Sequence, residues 1–246
     1  MIKFFRKIRQ NLVSEGKAVN YLKYAIGEII LVVIGILIAL SINNWNQERQ
    51  QKKVLNNIYA TIKADLQQDI LNIDKIVNSS QSIKKDYLAI INKTRKKEDF
   101  LNCINCRYVN FGFPNIKLRK NGSELLQNYN QQNNTSSDSL SIKLNNLYLD
   151  LSNNIYVDLD ELATNSNSFL EIVKYTQPWF ADFNFRGTDT YSDAFIEYAL
   201  TDFGYRNTAK VIYEMYFNNY IPHLKEYRTK SLEIIALIDE KLVVDE

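Results

Sequence analysis

Tyr24 to Ile42 reads YAIGEIILVVIGILIALSI, with a single charge at Glu28. At the helical rise this run is ~28 Å long, about the thickness of a bilayer's hydrocarbon core. Lipid offers no partner to backbone N–H and C=O groups, so a run that crosses it must be helical. The stretch predicts one transmembrane helix, assigned to residues 24–44. Residues 1–23 then form a basic cytoplasmic or interfacial segment. Residues 45–246 form an extracytoplasmic helical domain.

The flanks set the expected orientation. Lys3, Arg6, Lys7, Arg9, Lys17 and Lys23 precede the run against one acid, Glu15, while Arg49, Lys52 and Lys53 follow it. Basic residues are retained on the cytoplasmic side, so the N-terminus is expected inside and the C-terminal domain in the periplasm. Phe4, Phe5, Ile8 and Leu12 recur at helical spacing, which suits either a helix lying in anionic headgroups or an unstructured signal-anchor flank. The apolar run is too long for a cleaved signal, and no small-x-small site or lipoprotein cysteine follows it. Tyr21, Tyr24 and Trp45 sit where interfacial aromatic belts form.

Within the run, Gly27, Leu31, Gly35 and Ala39 share one helix face. Small residues at this spacing let two helices approach closely, so pairing or homo-oligomerisation through the span is expected. Glu28 lies about one turn inside the cytoplasmic boundary. Its readings are snorkelling toward Lys23 or Lys17, or hydrogen bonding between helices; one span cannot enclose a transport path.

The stretch YAIGEIILVVIGILIALSINNWN, preceded by MIKFFRKIRQNLVSEGK, resembles the N-terminal signature of an uncharacterised membrane protein family of Gram-negative bacteria, known as domain of unknown function 6090. The segment FGFPNIKLRKNGSELLQN is similar to a stretch where that family has a Gly-containing turn before a short helix. The family has no established activity. The resemblance implies topology and supplies no mechanism.

Composition bounds the rest. The 246 residues carry a net charge of +2, which gives no electrostatic case for nucleic acid. Only 7 Gly and 3 Pro interrupt the chain, too few for a turn-rich β protein, so an all-α fold is expected. Leu55, Ile58, Ile62, Leu66, Ile70, Ile73 and Val77 mark a long amphipathic helix that leaves the membrane without a break. Ser79, Ser80 and Ser82 read as a turn before a second helix with Ile83, Tyr87, Ile90 and Ile91, packed antiparallel on the first. Asn121-Gly122 reads as a turn before a short helix from Ser123 to Tyr129. After a polar loop over 131–138, Leu140, Leu144, Leu147, Leu151, Ile155, Leu159 and Leu162 mark a third helix that ends before Pro178. A fourth helical region starts near Tyr191, is interrupted near Gly204 and is broken or kinked at Pro222. The pattern predicts an elongated up-down, antiparallel bundle.

Candidate chemistry is sparse. Cys103 and Cys106 form a Cys-x-x-Cys, readable as a structural disulfide, inert thiols, a redox pair or half a metal site. A tetrahedral metal site needs two more ligands, and His223 is the only His. Residues 182–193 track a calcium loop loosely, but Arg186 occupies a position that should donate an oxygen. Asp158, Asp160 and Glu161 read as a solvated helix face. Asp138-Ser139-Leu140 matches a short O-glycosylation triplet. No nucleophile elbow, phosphate loop or metalloprotease motif occurs, so neither enzyme activity nor a cofactor is expected.

Residues 175–227 hold fifteen of the thirty aromatics. Aromatics at this density usually form core, but Pro178 to Gly187 lacks helical periodicity, so part of 178–187, with Trp179, Phe180, Phe183 and Phe185 beside Arg186, is expected to form an exposed apolar patch for a protein or the membrane surface. The sequence thus predicts a single-pass, inner-membrane-anchored scaffold that binds a protein partner, with an extracytoplasmic sensory or ligand-binding module as the alternative.

Overall fold

The computed structural model describes residues 18–103, 105–133, 139–183 and 191–244. Among these every regular element is helical and no strand occurs. The chain divides into two compact units, Met1–Asn56 and Asn57–Glu246. The amphipathic pattern expected over residues 1–17 lies outside the described residues.

In the first unit the described residues belong to helix α1, which spans Ala18–Ile91. From Ile26 to Val54 every side chain is exposed, including Ile29, Leu31, Ile36 and Leu40. Exposing so long an apolar run to water is untenable, and a bilayer is the solvent that suits it. Among the described residues, this helix is the one long and apolar enough to cross a membrane.

In the second unit the same helix becomes amphipathic. Ile58, Ile62, Leu66, Ile70 and Ile73 are buried at helical spacing. The expected turn at Ser79–Ser82 does not occur, so no antiparallel hairpin forms there. The hydroxyls of Ser79, Ser80 and Ser82 donate to the carbonyls of Ile76, Val77 and Ser79, three residues back. Bonded within the helix, they no longer compete with its backbone ladder. The helix stops instead at Ile91. Lys93 takes a left-handed φ of 56°, and the Thr94 N–H reaches back to the Ala89 carbonyl at 2.9 Å.

Two short 3-10 turns follow, Lys97–Asn102 and Asn105–Tyr108. Helix α2 spans Asn121–Asn133, so Asn121-Gly122 opens a helix and is not the turn its sequence suggests. Helix α3, Ser139–Asn145, passes through a π-helical segment, Asn146–Leu151, into α4, Ser152–Thr176. As expected, α4 stops before Pro178, with Gln177 extended. Helix α5, Asp193–Thr201, is separated from α6, Phe203–Met215, by extended Asp202, whose carboxylate caps the Tyr205 N–H at 2.7 Å. Helix α7, Ile221–Val244, follows a second π-helical segment, Tyr216–Tyr220. Pro222 does not break it. The π turn just before has already opened the hydrogen-bond ladder that the proline ring would disrupt.

Helix α4 packs on α6 and α7, and α3 packs on α7. Pairings of α1 with α7 and the π-helical segment before it run in opposite numerical order. Tyr59 meets Lys241 at 3.4 Å, Asp74 meets Arg228 at 2.6 Å, and the rings of Tyr87 and Phe217 lie 6.2 Å apart.

Candidate functional site

The segment after the second 3-10 turn has no regular hydrogen bonding of its own, yet the core holds it tightly. Ile116 and Leu118 are buried while Lys117 and Arg119 are exposed. This is the two-residue alternation of an extended chain. Two acids one turn apart on α1 pin it. The Arg119 N–H donates to both oxygens of Asp69, at 3.3 and 3.1 Å, and the Gly122 N–H donates to Asp65 at 2.9 Å. Asp65 thereby satisfies an amide in the first turn of α2, as a cap supplied from another element. Gly122 is required by contact. A Cβ there would lie 2.5 Å from Ile62 Cγ1 and 2.7 Å from the Ile62 backbone. Asp69 is fully buried and also accepts from Tyr227 Oη at 3.4 Å. Burial pushes its pKa up to about 6, against the opposing effect of the Arg119 N–H.

The pinned cations face outward. Lys117, Arg119 and Lys120 line an open cavity of about 590 Å³ with Asn72, Glu124 and Tyr156. The Lys120 ammonium stands 5.0 Å from the centre of the Tyr156 ring, and Tyr156 Oη accepts the Leu118 N–H at 3.2 Å.

The family model for the family of unknown function DUF6090 matches residues 28–148. Over that range the chain belongs to the DUF6090 family. The matched range runs from Glu28 in the span through α1, the cysteine pair and the pinned segment. Residues 1–27, part of the stretch that carries the resemblance, lie outside it. No curated protein and no solved structure matches the chain.

In this DUF6090 chain Cys103 and Cys106 are joined by a disulfide, with Cα atoms 5.4 Å apart. Cys103 is nearly buried and Cys106 fully so. The loop they close is held by the Tyr191 hydroxyl, which donates to the Cys103 carbonyl at 2.6 Å. Asp86 of α1 touches Cys103 Sγ and pairs with Arg95.

Within the aromatic loop, Trp179 departs from its reading as part of an interaction patch. Trp179 is buried, 6% exposed, and its ring packs at 5.1 Å from Phe195 and 5.3 Å from Tyr198. Phe183 is partly covered and lies 4.8 Å from Phe195, and Phe180 is also half-buried. A 3-10 turn over Pro178–Asp182 folds these rings back onto α5. The Trp179 indole N–H finds the Gln177 side-chain oxygen at 3.2 Å, which meets its polar requirement. Phe185 and Arg186 lie outside the described residues, as does most of the calcium-like loop.

In the candidate span, Gly27, Glu28, Gly35 and Ala39 are all exposed, and among the described residues nothing lies within 4 Å of where a Cβ would stand on Gly27 or Gly35. Asp138 is outside the described residues, and Leu140 of the same triplet is buried.

Asp158 is not on a solvated face. It is buried and lies 2.6 Å from His223 Nδ1, while Asp160 and Glu161 stay exposed. The chain's lone histidine therefore has a carboxylate partner 65 residues away. Asp65 and Asp69 were equally hidden from sequence reasoning. Each sits beside a core position, at Leu66 and Ile70, which is the one signal that marks them.

Proposed function

We propose that this protein is a single-pass membrane-anchored helical scaffold that holds an interaction domain outside the cytoplasm. In this reading residues 24–44 span the inner membrane with the N-terminus cytoplasmic. The helices of the following domain alternate in direction as an antiparallel bundle. The observation that carries the reading is the change of character along α1, wholly exposed and, but for Glu28 and Ser41, apolar from Ile26 to Ile42, and core-forming from Ile58 onward. An anchor continuous with the first core helix ties the domain to the bilayer without a Gly- or Pro-rich linker.

The opposed pairings of α1 and α7 support the alternation of direction. The six-to-three excess of Lys and Arg before the span supports the orientation. The small-residue face of Gly27, Gly35 and Ala39 supports pairing in the membrane. For a protein partner, the open cavity lined by Lys117, Arg119 and Lys120 suits an acidic segment.

Membrane extraction and partner recovery test the two halves of the reading. The full chain should resist alkaline carbonate and dissolve only in detergent, and deletion of residues 1–44 should release a folded helical domain. Charge reversal at Lys117 and Arg119 should abolish partner recovery from crosslinked membranes without lowering the melting temperature. Extraction of the full chain by carbonate alone contradicts the anchor. Unchanged recovery removes the cationic face from the account.

A further inference from the structure

The cysteine pair alone supplies half of a metal site, and the fold brings a third ligand to it. Asp86 on α1, 17 residues before Cys103, places a carboxylate oxygen 3.5 Å from Cys103 Sγ. The carboxylate oxygen and the two sulfurs all lie within 4.8 Å of one another. Cys-x-x-Cys is the ligand spacing of structural zinc sites. Here the two Cα atoms are 5.4 Å apart, so separating the sulfurs to flank one ion takes side-chain rotation and little backbone movement.

The surroundings fit a held ion. Cys106 is fully buried, and the Asp86 side chain is only 16% exposed. Arg95, its side chain 11% exposed, pairs with the same Asp86 oxygen that touches Cys103 Sγ, and a ligating carboxylate would keep it as an outer partner. The Tyr191 hydroxyl holds the Cys103 carbonyl. The charges also balance. Two thiolates and one carboxylate carry three negative charges, and Arg95 returns one. A divalent cation cancels the remainder, which a buried site would otherwise not sustain. Thiolates select a zinc-class ion over magnesium or calcium.

We propose that, once the Cys103–Cys106 disulfide is reduced, both thiolates and Asp86 bind one zinc-class divalent ion, so that disulfide and metal are alternative staples of the same loop. The reductant is a dithiol. It delivers two electrons to the S–S bond and is itself oxidised to a disulfide, and its two protons pass to Cys103 and Cys106. Metal binding then releases those two protons, and a water fills the fourth position. The inference does not depend on which side of the membrane residues 57–246 occupy.

The test uses the detergent-solubilised full chain and two probes, Co²⁺ and Zn²⁺. The chain is reduced with a phosphine, which takes its oxygen from water and leaves two thiols, and the reductant is then removed without air. The reduced chain should take up one Co²⁺ with thiolate-to-cobalt charge-transfer absorption, and Zn²⁺ should displace it. The oxidised chain should show neither. Asp86→Asn should weaken binding by at least the roughly 10–100-fold that loss of a supporting partner costs. Circular dichroism should show helix content unchanged on reduction. Two titratable thiols with no metal absorption overturn the proposal, and so does an Asp86→Asn chain that binds as tightly as the parent. Loss of the fold on reduction also overturns it, because the third ligand is supplied by the fold.

Discussion

At Gly122 the absence of one carbon sets how closely α2 approaches α1. A methyl group there meets the Ile62 backbone at 2.7 Å, which cannot rotate away. Gly122→Ala should therefore cost about 1–3 kcal/mol, the range for overpacking a tight contact, and should lower the urea midpoint without changing the slope. Asp69 makes a second prediction at this scale. Its pKa is raised from an ordinary carboxylate value to about 6, so between about pH 4 and pH 6 the folded chain binds more protons than the unfolded one. Stability on this account is greatest below about pH 4 and falls as pH rises through 6, by roughly 3 kcal/mol. Urea unfolding measured across that range should show the decline in the parent and a flatter profile in Asp69→Asn. An identical profile in the variant assigns the slope to other groups. Neither residue's role was legible in the sequence. Gly122 read as a turn, because its constraint is a contact 60 residues away in the chain. Asp65 and Asp69 read as the polar border of a helix, because the amides they hold lie 57 and 50 residues further on.

Elements were more legible than residues wherever periodicity extended over several turns. The buried stripe of Ile58, Ile62, Leu66 and Ile70 and that of Leu140, Leu144, Leu147 and Ile155 both lie where their spacing placed them. Punctuation misled in three places. Serines at 79–82 bond to carbonyls three residues back, Pro222 follows a π turn that accommodates it, and Asn121 begins a helix capped from α1. In each, a local preference lost to a bond or a packing contact that the local sequence does not reveal. Trp179 was misread for a related reason. Loss of helical periodicity at Pro178 marks a 3-10 turn, and that turn buries Trp179 against α5. Trp179→Ala should accordingly destabilise by roughly 3–5 kcal/mol, as for other buried aromatics. A thermal melt unchanged from the parent would return the ring to the surface.

For the whole molecule, the central claim is that α1 carries one bilayer span and then the first core helix of a domain held outside the cytoplasm. The long apolar helix is the most legible feature of the chain, because hydrocarbon thickness and backbone hydrogen bonding leave little freedom in how nineteen such residues are read. Orientation rests on the distribution of Lys and Arg alone, and it decides the compartment in which the cysteine pair and the cationic face operate. The most direct test is a pair of C-terminal fusions in the full-length chain, one to a phosphatase that is active only outside the cytoplasm and one to a fluorescent protein that matures only within it. The account predicts phosphatase activity and no fluorescence. Fluorescence without phosphatase activity would place the domain in the cytoplasm and contradict it.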